Sequence, residues 1–316
     1  MIRGTLAGVA NPLLIGLSIE DLEQFLIPYC GKERFELKIL NNKRRDMFKF
    51  IYNKEKGIVN VTDRQDKELA VAVFAPFLDS DISDPRLNIF IDVDYCVKEN
   101  ADEIKLSLMN ELIRLGREAK IENSYIKTRI YHCAFADARD KINYFSTIEG
   151  FMHDEGMYVL KKPLKEKHPT TDIYGVNFHY LELNDSQINE LMREQHKVFR
   201  NGYELEDLIK IRNGEKWLSL SAFQENKLIG NIIMVRKLNE QGQEYAWCDD
   251  LFVKKEYRKS SIGQELVNRS INKLIEMGYD YCKLEMWSTN IRAYSVYKKA
   301  VFMFDRETQV SIGMEI

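Results

Sequence analysis

Residues 249–264 read Asp-Asp-Leu-Phe-Val-Lys-Lys-Glu-Tyr-Arg-Lys-Ser-Ser-Ile-Gly-Gln, an apolar strand that runs through a basic turn directly into a helix. Tyr245-Ala-Trp-Cys and Leu251-Phe-Val supply the aromatic and branched residues of a strand. Ile262, Leu266, Val267, Ile271, Leu274 and Ile275 recur at helical spacing, and Gly278 follows as a stop. A strand that feeds a helix without a spacer presents the helix's first N–H groups, which lack internal partners, at the end of the sheet. Such a start attracts anions, above all a diphosphate. Lys254, Lys255, Arg258 and Lys259 surround it with positive charge. The competing reading is that Ser261 and Gln264 form only a capping box.

A strand at residues 279–287 follows the helix. Then comes Asn290-Ile-Arg-Ala293-Tyr-Ser-Val-Tyr297-Lys-Lys-Ala-Val-Phe302. Arg258-Lys-Ser-Ser-Ile-Gly263 resembles the acyl-CoA-binding signature of the GNAT acetyltransferase superfamily, Arg/Gln-x-x-Gly-x-Gly/Ala. The second stretch resembles that superfamily's Asn-x-x-Ala-x-x-x-Tyr-x-x-x-Gly-Phe. Ser261 and Val301 stand where each pattern has glycine. Two signatures in order, joined by a helix and a strand, are far more specific than either alone. The resemblance covers residues 172–316.

The resemblance implies an α/β (α+β) fold with a mixed, mostly antiparallel central sheet flanked by helices. It also implies acetyl-CoA as cosubstrate, with no metal. Leu251, Phe252 and Val253 would face the thioester through main-chain atoms. Arg258, Lys259, Ser260, Ser261, Ile262, Gly263 and Gln264 would hold the diphosphate, and Asn290 belongs to the same cosubstrate site. Tyr297 matches the general acid toward the departing thiolate; the competing reading is a helix tyrosine packed on the sheet. Asp249 and Asp250 resemble the acidic pair of the small-amine branch. Strand alternation sends their carboxylates to opposite faces. Asp249 is the expected base, through a water, Asp250 the charge partner of a cationic acceptor, and Glu285 on the next strand the reserve base. For each aspartate the competing reading is a solvated or capping carboxylate. Direct attack of an amine on a thioester needs no covalent enzyme intermediate, so no serine or cysteine triad is required.

A chain of 316 residues suits two domains, and 45% hydrophobic with 30% charged residues is ordinary for a globular protein. A net charge of −3 speaks against nonspecific nucleic-acid binding over the whole surface. The five cysteines are scattered and odd in number, with no Cys-x-x-Cys, and the histidines are unclustered, which points to a reducing cytoplasm and no metal site. The apolar run at residues 70–78 contains Pro76 and is too short to span a bilayer. The first residues faintly resemble a signal peptide, but Asn11-Pro12 interrupts them and no good cleavage site follows. A cytoplasmic monomer or homodimer is expected, without membrane or nucleic-acid partners.

In the N-terminal half, Ser18 begins a helical stripe that Pro28 and Gly31 end, and residues 35–39 fit either a strand or a short helix. Strand patterns follow at residues 47–52, 57–61, 69–77 and 87–93, with a loop at 79–86. An amphipathic helix at 101–115, a strand at 124–133, a helix at 136–147 and a strand at 157–160 complete it. This order repeats in the C-terminal half, so the chain reads as two tandem GNAT-like domains. The first is degenerate. Its strand-to-helix turn, residues 95–103, has no glycine and carries Glu99, Asp102 and Glu103, which would repel a diphosphate; Ser146 stands where the tyrosine is expected. The domains are placed at 1–163 and 173–316, with the charged, proline-bearing stretch 164–172 as linker. The second domain opens with a strand at 174–183, a helix capped near Asn184, and a short helix at 204–211. Residues 199–203 lie between those helices, where this superfamily builds its acceptor wall. A hairpin of strands 217–223 and 228–235 leads back to the central strand. Two other functions remain open: a non-catalytic acyl-CoA-binding or interaction module, and a transferase that uses aminoacyl-tRNA.

Overall fold

The computed structural model describes residues 34–36, 48–79, 85–199 and 202–316. The helix expected from Ser18 lies outside them. So do residues 37–39 and most of the expected loop at 79–86, while Arg34–Glu36 form a strand, β1. The chain divides into two compact units.

In the N-terminal unit, β2 (Lys49–Asn53), β3 (Ile58–Thr62), β4 (Glu68–Asp79) and β5 (Arg86–Cys96) form an antiparallel meander. Helix α1 (Ala101–Glu122) carries the chain over to β6 (Lys127–Phe135), which pairs parallel to β5. A short helix, α2 (Arg139–Ser146), follows. The stripe Ile104, Leu108, Leu112 and Leu115 is buried with Phe74, Ile89, Ile91 and Ile130, so the helical period read from the sequence faces the sheet. The last strand of this unit comes from the far end of the chain. Gln309 to Glu315 of β13 (Met303–Glu315) pair antiparallel with β6.

The C-terminal unit repeats the order. Strands β8 (Val176–Leu181), β9 (Leu218–Gln224), β10 (Lys227–Leu238) and β11 (Glu244–Val253) form an antiparallel set. Helices α3 (Asp185–His196) and α4 (Leu205–Arg212) are inserted between β8 and β9. Asn184 and Gln187 make the capping box that starts α3. Helix α5 (Ile262–Glu276) crosses over to β12 (Tyr281–Trp287), parallel to β11, and α6 (Ile291–Lys299) follows. Gly278, with φ of +81°, ends α5, where the Tyr279 N–H donates to the Leu274 carbonyl. The strand beyond β12 is borrowed here too: residues 157–163 of β7 (Met152–Pro163) pair antiparallel with β12. Ile262, Leu266, Val267, Ile271 and Leu274 share one core with Tyr297 and Phe302 on one side of this sheet; α3 and α4 build a second core with Ile233 and Phe252 on the other.

The division differs from the expected boundary at 163. Of the described residues, the C-terminal unit takes Gly156–Thr308, and the N-terminal unit takes those up to Glu155 together with Gln309–Ile316. The reason is strand pairing, which hydropathy does not reveal. Nor is stretch 164–172 a loose linker. The His168 N–H donates to Asn272 Oδ1 at 2.7 Å, the Thr171 N–H to Glu265 Oε2 at 2.9 Å, and Asn268 and Asn272 donate to the Pro169 and His168 carbonyls. Polar side chains of α5 thus satisfy its backbone. No helix among the described residues is long and apolar enough to cross a membrane.

Candidate active site

The site follows from where β11 and β12 stop pairing. Ala246, Trp247 and Cys248 are in parallel register with Cys282, Lys283 and Leu284, and the pairing ends there. Strand β11 runs on to Val253 while held by β10 on its other edge. Backbone of residues 249–253 therefore lines a divergence between two parallel strands, at the carboxyl end where α5 begins. Leu251 and Val253 lean on the α5 core, and Phe252 is buried on the opposite side.

The turn into α5 keeps the conformation glycine would give it. Ser261 has φ of +65° and Lys259 φ of +66°, both left-handed, and the Ser261 side chain makes no capping hydrogen bond. The capping-box reading is therefore not realised. Alternation of left-handed residues in a turn gathers successive N–H groups into an anion-binding concavity. Ser260 is exposed, and its hydroxyl turns back to the Tyr257 carbonyl. Ile262 is buried in the core, so only its main chain faces the turn. A Cβ added at Gly263 would meet only Val253 and Val296 at ordinary distances of 3.7 and 3.9 Å, so the glycine is not needed for packing within the chain. Gln264 donates to Asn268 Oδ1 at 3.0 Å. Arg258 donates from Nε to the Val253 carbonyl at 3.0 Å. Burial, then the nearby Arg292 guanidinium, lowers the Arg258 pKa, so two like charges are held together there. Lys254 does not join them. It is paired at 2.5 Å with the buried Glu194 of α3. Burial pushes the Glu194 carboxyl up, but hydrogen bonds from Lys254, Lys197 and Arg193 outweigh it and hold the group at about 2.

Asp249 and Asp250 do not point to opposite faces. The register with β10 slips between Ile233 and Met234, which oppose Asp250 and Cys248, so Asp249 is the extra residue of a β-bulge. The bulge resets the alternation. Both carboxylates consequently bond to groups from the α3 end: Tyr203 Oη donates to Asp249 Oδ2 at 2.6 Å, and Gln195 Nε2 donates to Asp250 Oδ2 at 2.6 Å. Asp250 is 1% exposed, and its Oδ1 has no hydrogen-bond partner. Burial raises Asp250 to about 7 despite the bond from Gln195, with the Asp249 charge adding to the rise. Burial also raises Asp249, opposed by the Tyr203 bond and the Lys237 charge. Lys237 lies over the Trp247 ring at 3.7 Å and is attracted by both Asp249 and Glu285. The Glu285 carboxylate accepts from Thr308 Oγ1 at 2.5 Å.

Tyr297 is buried on the opposite side of β11. Its ring meets Phe302 edge-on at 5.5 Å, and its hydroxyl is a hydrogen-bonding neighbour of the Cys248 thiol. Burial keeps the phenol protonated, well above its ordinary pKa. Asn290 caps α6, accepting from the Ala293 N–H at 3.2 Å. Val301 adopts φ of +60°, so the valine occupies the left-handed position of a glycine.

The sequence reading missed Gln195, Tyr203, Lys237 and Arg292. Tyr203 lay within a stretch already marked as acceptor wall, and Arg292 fills an unspecified position of the Asn290–Phe302 stretch; Gln195 and Lys237 belong to no motif and become visible only when the bulge and α3 are placed. Among the described residues no three His, Cys, Asp or Glu side chains are grouped to hold a metal.

Residues 186–302 match the acetyltransferase (GNAT) family. A curated relative, N-alpha-acetyltransferase 30 of Dictyostelium discoideum, is 31% identical over 118 residues, which are 37% of this chain and 63% of that protein. Among solved structures, a GCN5-related N-acetyltransferase from Sphaerobacter thermophilus aligns over 84% of this chain and 82% of its own at 14% identity, with a TM-score of 0.44. Arabidopsis thaliana NAA60, solved with a bisubstrate analogue, aligns over 44% and 98% at 19% identity, with a TM-score of 0.35. Residues 186–302, which hold the diverging strands and the left-handed turn just described, are the part of this chain that carries its likeness to the acetyltransferase (GNAT) family.

Proposed function

We propose that this protein is an acetyl-CoA-dependent N-acetyltransferase that acts on a primary amine of a small molecule or peptide. The observation that carries this reading is the divergence of β11 from β12 beside the left-handed turn into α5. The residues fit the cosubstrate: the concavity at Lys259–Ser261 and the Arg258–Arg292 pair suit a diphosphate, and Gly263 leaves its approach open. Leu251, Phe252 and Val253 offer main-chain groups along the thioester. Likeness to an N-alpha-acetyltransferase supports an amine acceptor.

Asp249 takes the proton of the acceptor ammonium through a water, and the free amine attacks the acetyl carbonyl. A C–N bond forms, the C–S bond breaks, Tyr297, kept protonated by burial, gives its proton to the thiolate, and the proton that the nitrogen sheds as the amide forms restores the phenol through water. Asp250 lies behind Asp249 and acts on a cationic acceptor through its charge rather than by contact. Glu285, on the same side as Lys237, is the reserve base. Asn290 holds the start of α6 and so the backbone that carries Tyr297.

Calorimetric titration with acetyl-CoA, followed by a free-thiol release assay over a panel of amines, tests the reading. One site per chain with amine-dependent thiol release is expected. Binding without release for any amine would favour a non-catalytic module. No binding, with salt-sensitive retention of aminoacyl-tRNA on filters, would favour the tRNA-dependent transferase.

A further inference from the structure

The end of α3 holds the acceptor side of the site by an arrangement that packing alone does not need. Gln195 is 2% exposed and uses both ends of its amide. Its Oε1 accepts from the Tyr203 N–H at 2.7 Å, and its Nε2 donates to Asp250 at 2.6 Å. The next residue, His196, bonds from Nε2 to the Tyr203 carbonyl at 2.9 Å. Since a carbonyl only accepts, that nitrogen is the donor. Two consecutive side chains thus grip one residue's N–H and C=O, while its hydroxyl bonds to Asp249. Gly202 makes this approach feasible: a Cβ there would lie 2.2 Å from the His196 ring and 2.9 Å from Gln195 Oε1.

We propose that Gln195 is a positioning residue that ties the two adjacent β11 carboxylates into one unit, Asp250–Gln195–Tyr203–Asp249, and so fixes the base for the acceptor. The amide cannot be turned over, because a backbone N–H can only donate. Nε2 must therefore face Asp250, and Asp250 must accept on Oδ2, whether ionised or carrying its proton on the unpartnered Oδ1. Among the described residues, the titratable groups that interact electrostatically with Asp250 are Asp249 and Cys248 on the same strand, Tyr203 from the α3–α4 loop and, across β11, Tyr297 from α6. With two carboxylates side by side, a fixed donor on one is what holds the other's partner in place.

This inference rests on Asp249 being the base of the proposed reaction, and the test separates the two. Gln195→Glu removes the donor to Asp250 but keeps the acceptor for the Tyr203 N–H. The double variant Gln195→Glu with Asp250→Asn restores the bond with donor and acceptor exchanged and the charge unchanged. For the amine that wild type turns over best, kcat/KM should fall at least tenfold in the single variant, with acetyl-CoA affinity by calorimetry within twofold. The double variant should recover at least threefold over the single variant, though not wild-type activity, since Asp250 also supplies charge to the acceptor. A single variant as active as wild type, or a double variant no better than the single, overturns the proposal. If Gln195→Glu does not fold, Gln195→Met, which removes both bonds without a new charge, should show the same fall in kcat/KM at unchanged acetyl-CoA affinity, and an unchanged kcat/KM overturns the proposal. If wild type acetylates no amine, the function reading fails by itself. The tie is then read from carbon-13 carboxyl titrations of labelled aspartate: Gln195→Met should move the Asp250 midpoint to higher pH, and an unmoved midpoint overturns it.

Discussion

Ser261 holds φ of +65°, a left-handed conformation that costs a non-glycine residue about 1 kcal/mol. That strain sits at the first turn of α5, where the proposed diphosphate binds. Ser261→Gly should relieve it, raise stability by roughly that amount and tighten acetyl-CoA binding; calorimetry on both proteins checks it, and weaker binding would show that the serine itself contributes to the cradle. Asp249 is argued at the same scale. Burial raises its pKa, and a base works only when ionised, so the acid limb of kcat/KM should lie above the ordinary carboxylate range. Asp249→Asn should lower the rate about 100-fold or more and remove that limb from the pH profile. A limb that persists at the same pH would assign the titration to another group. Both aspartates were legible as candidates because they precede Leu-Phe-Val. Their shared direction was not, because period-2 alternation assumes an unbroken ladder and the bulge at Asp249 is set by pairing with β10.

At the scale of elements, helix ends decide most of what the sequence could and could not reveal. The stripe from Ile262 to Leu274 and the stop at Gly278 are local properties, and the structure realises both. The start of α5 is also local, yet the Ser-x-x-Gln pattern misleads, because the left-handed Ser261 turns its side chain away from the cap. The end of α6 shows the same tension. Val301 follows the helix with φ of +60°, the Phe302 N–H bonds back to the Tyr297 carbonyl at 3.0 Å, and Val301 itself is largely exposed. A branched residue there loses backbone energy and gains little burial. Val301→Gly should stabilise the protein by about 1 kcal/mol, roughly 2–4 °C in thermal unfolding; a lower midpoint would mean that the valine packs against something. The corresponding helix start in the N-terminal unit, at α1, also has a left-handed cap, Asn100 at φ of +54°, followed by Asp102 and Glu103 in the first turn. The helix end is there compensated by its own acids, which fits the reading of that unit as degenerate.

At the scale of the whole molecule, the recurrence of one order of elements in both halves was readable, because it is carried by consecutive local patterns. The exchange of final strands was not, since nothing in the hydropathy of β7 or β13 says which sheet each will join. Cutting the chain at the 163/164 boundary suggested by composition separates both units from a strand. A fragment of residues 164–316 lacks the seven residue pairs that residues 157–163 make with β12. It should unfold without a cooperative transition, whereas a fragment of residues 156–308 should show one; circular dichroism melts compare them, and equal cooperativity would mean that the borrowed strand is dispensable. The exchange also has a consequence for synthesis. Residues 309–315 leave the ribosome about 180 positions after the residues of β6 with which they pair. Until they emerge, that edge of the first unit has no partner and is open to the wrong strands, those of other nascent chains included. Completion of the first unit therefore waits until the second has been made, and holding factors that act on the emerging chain have their largest effect on the half that is made first.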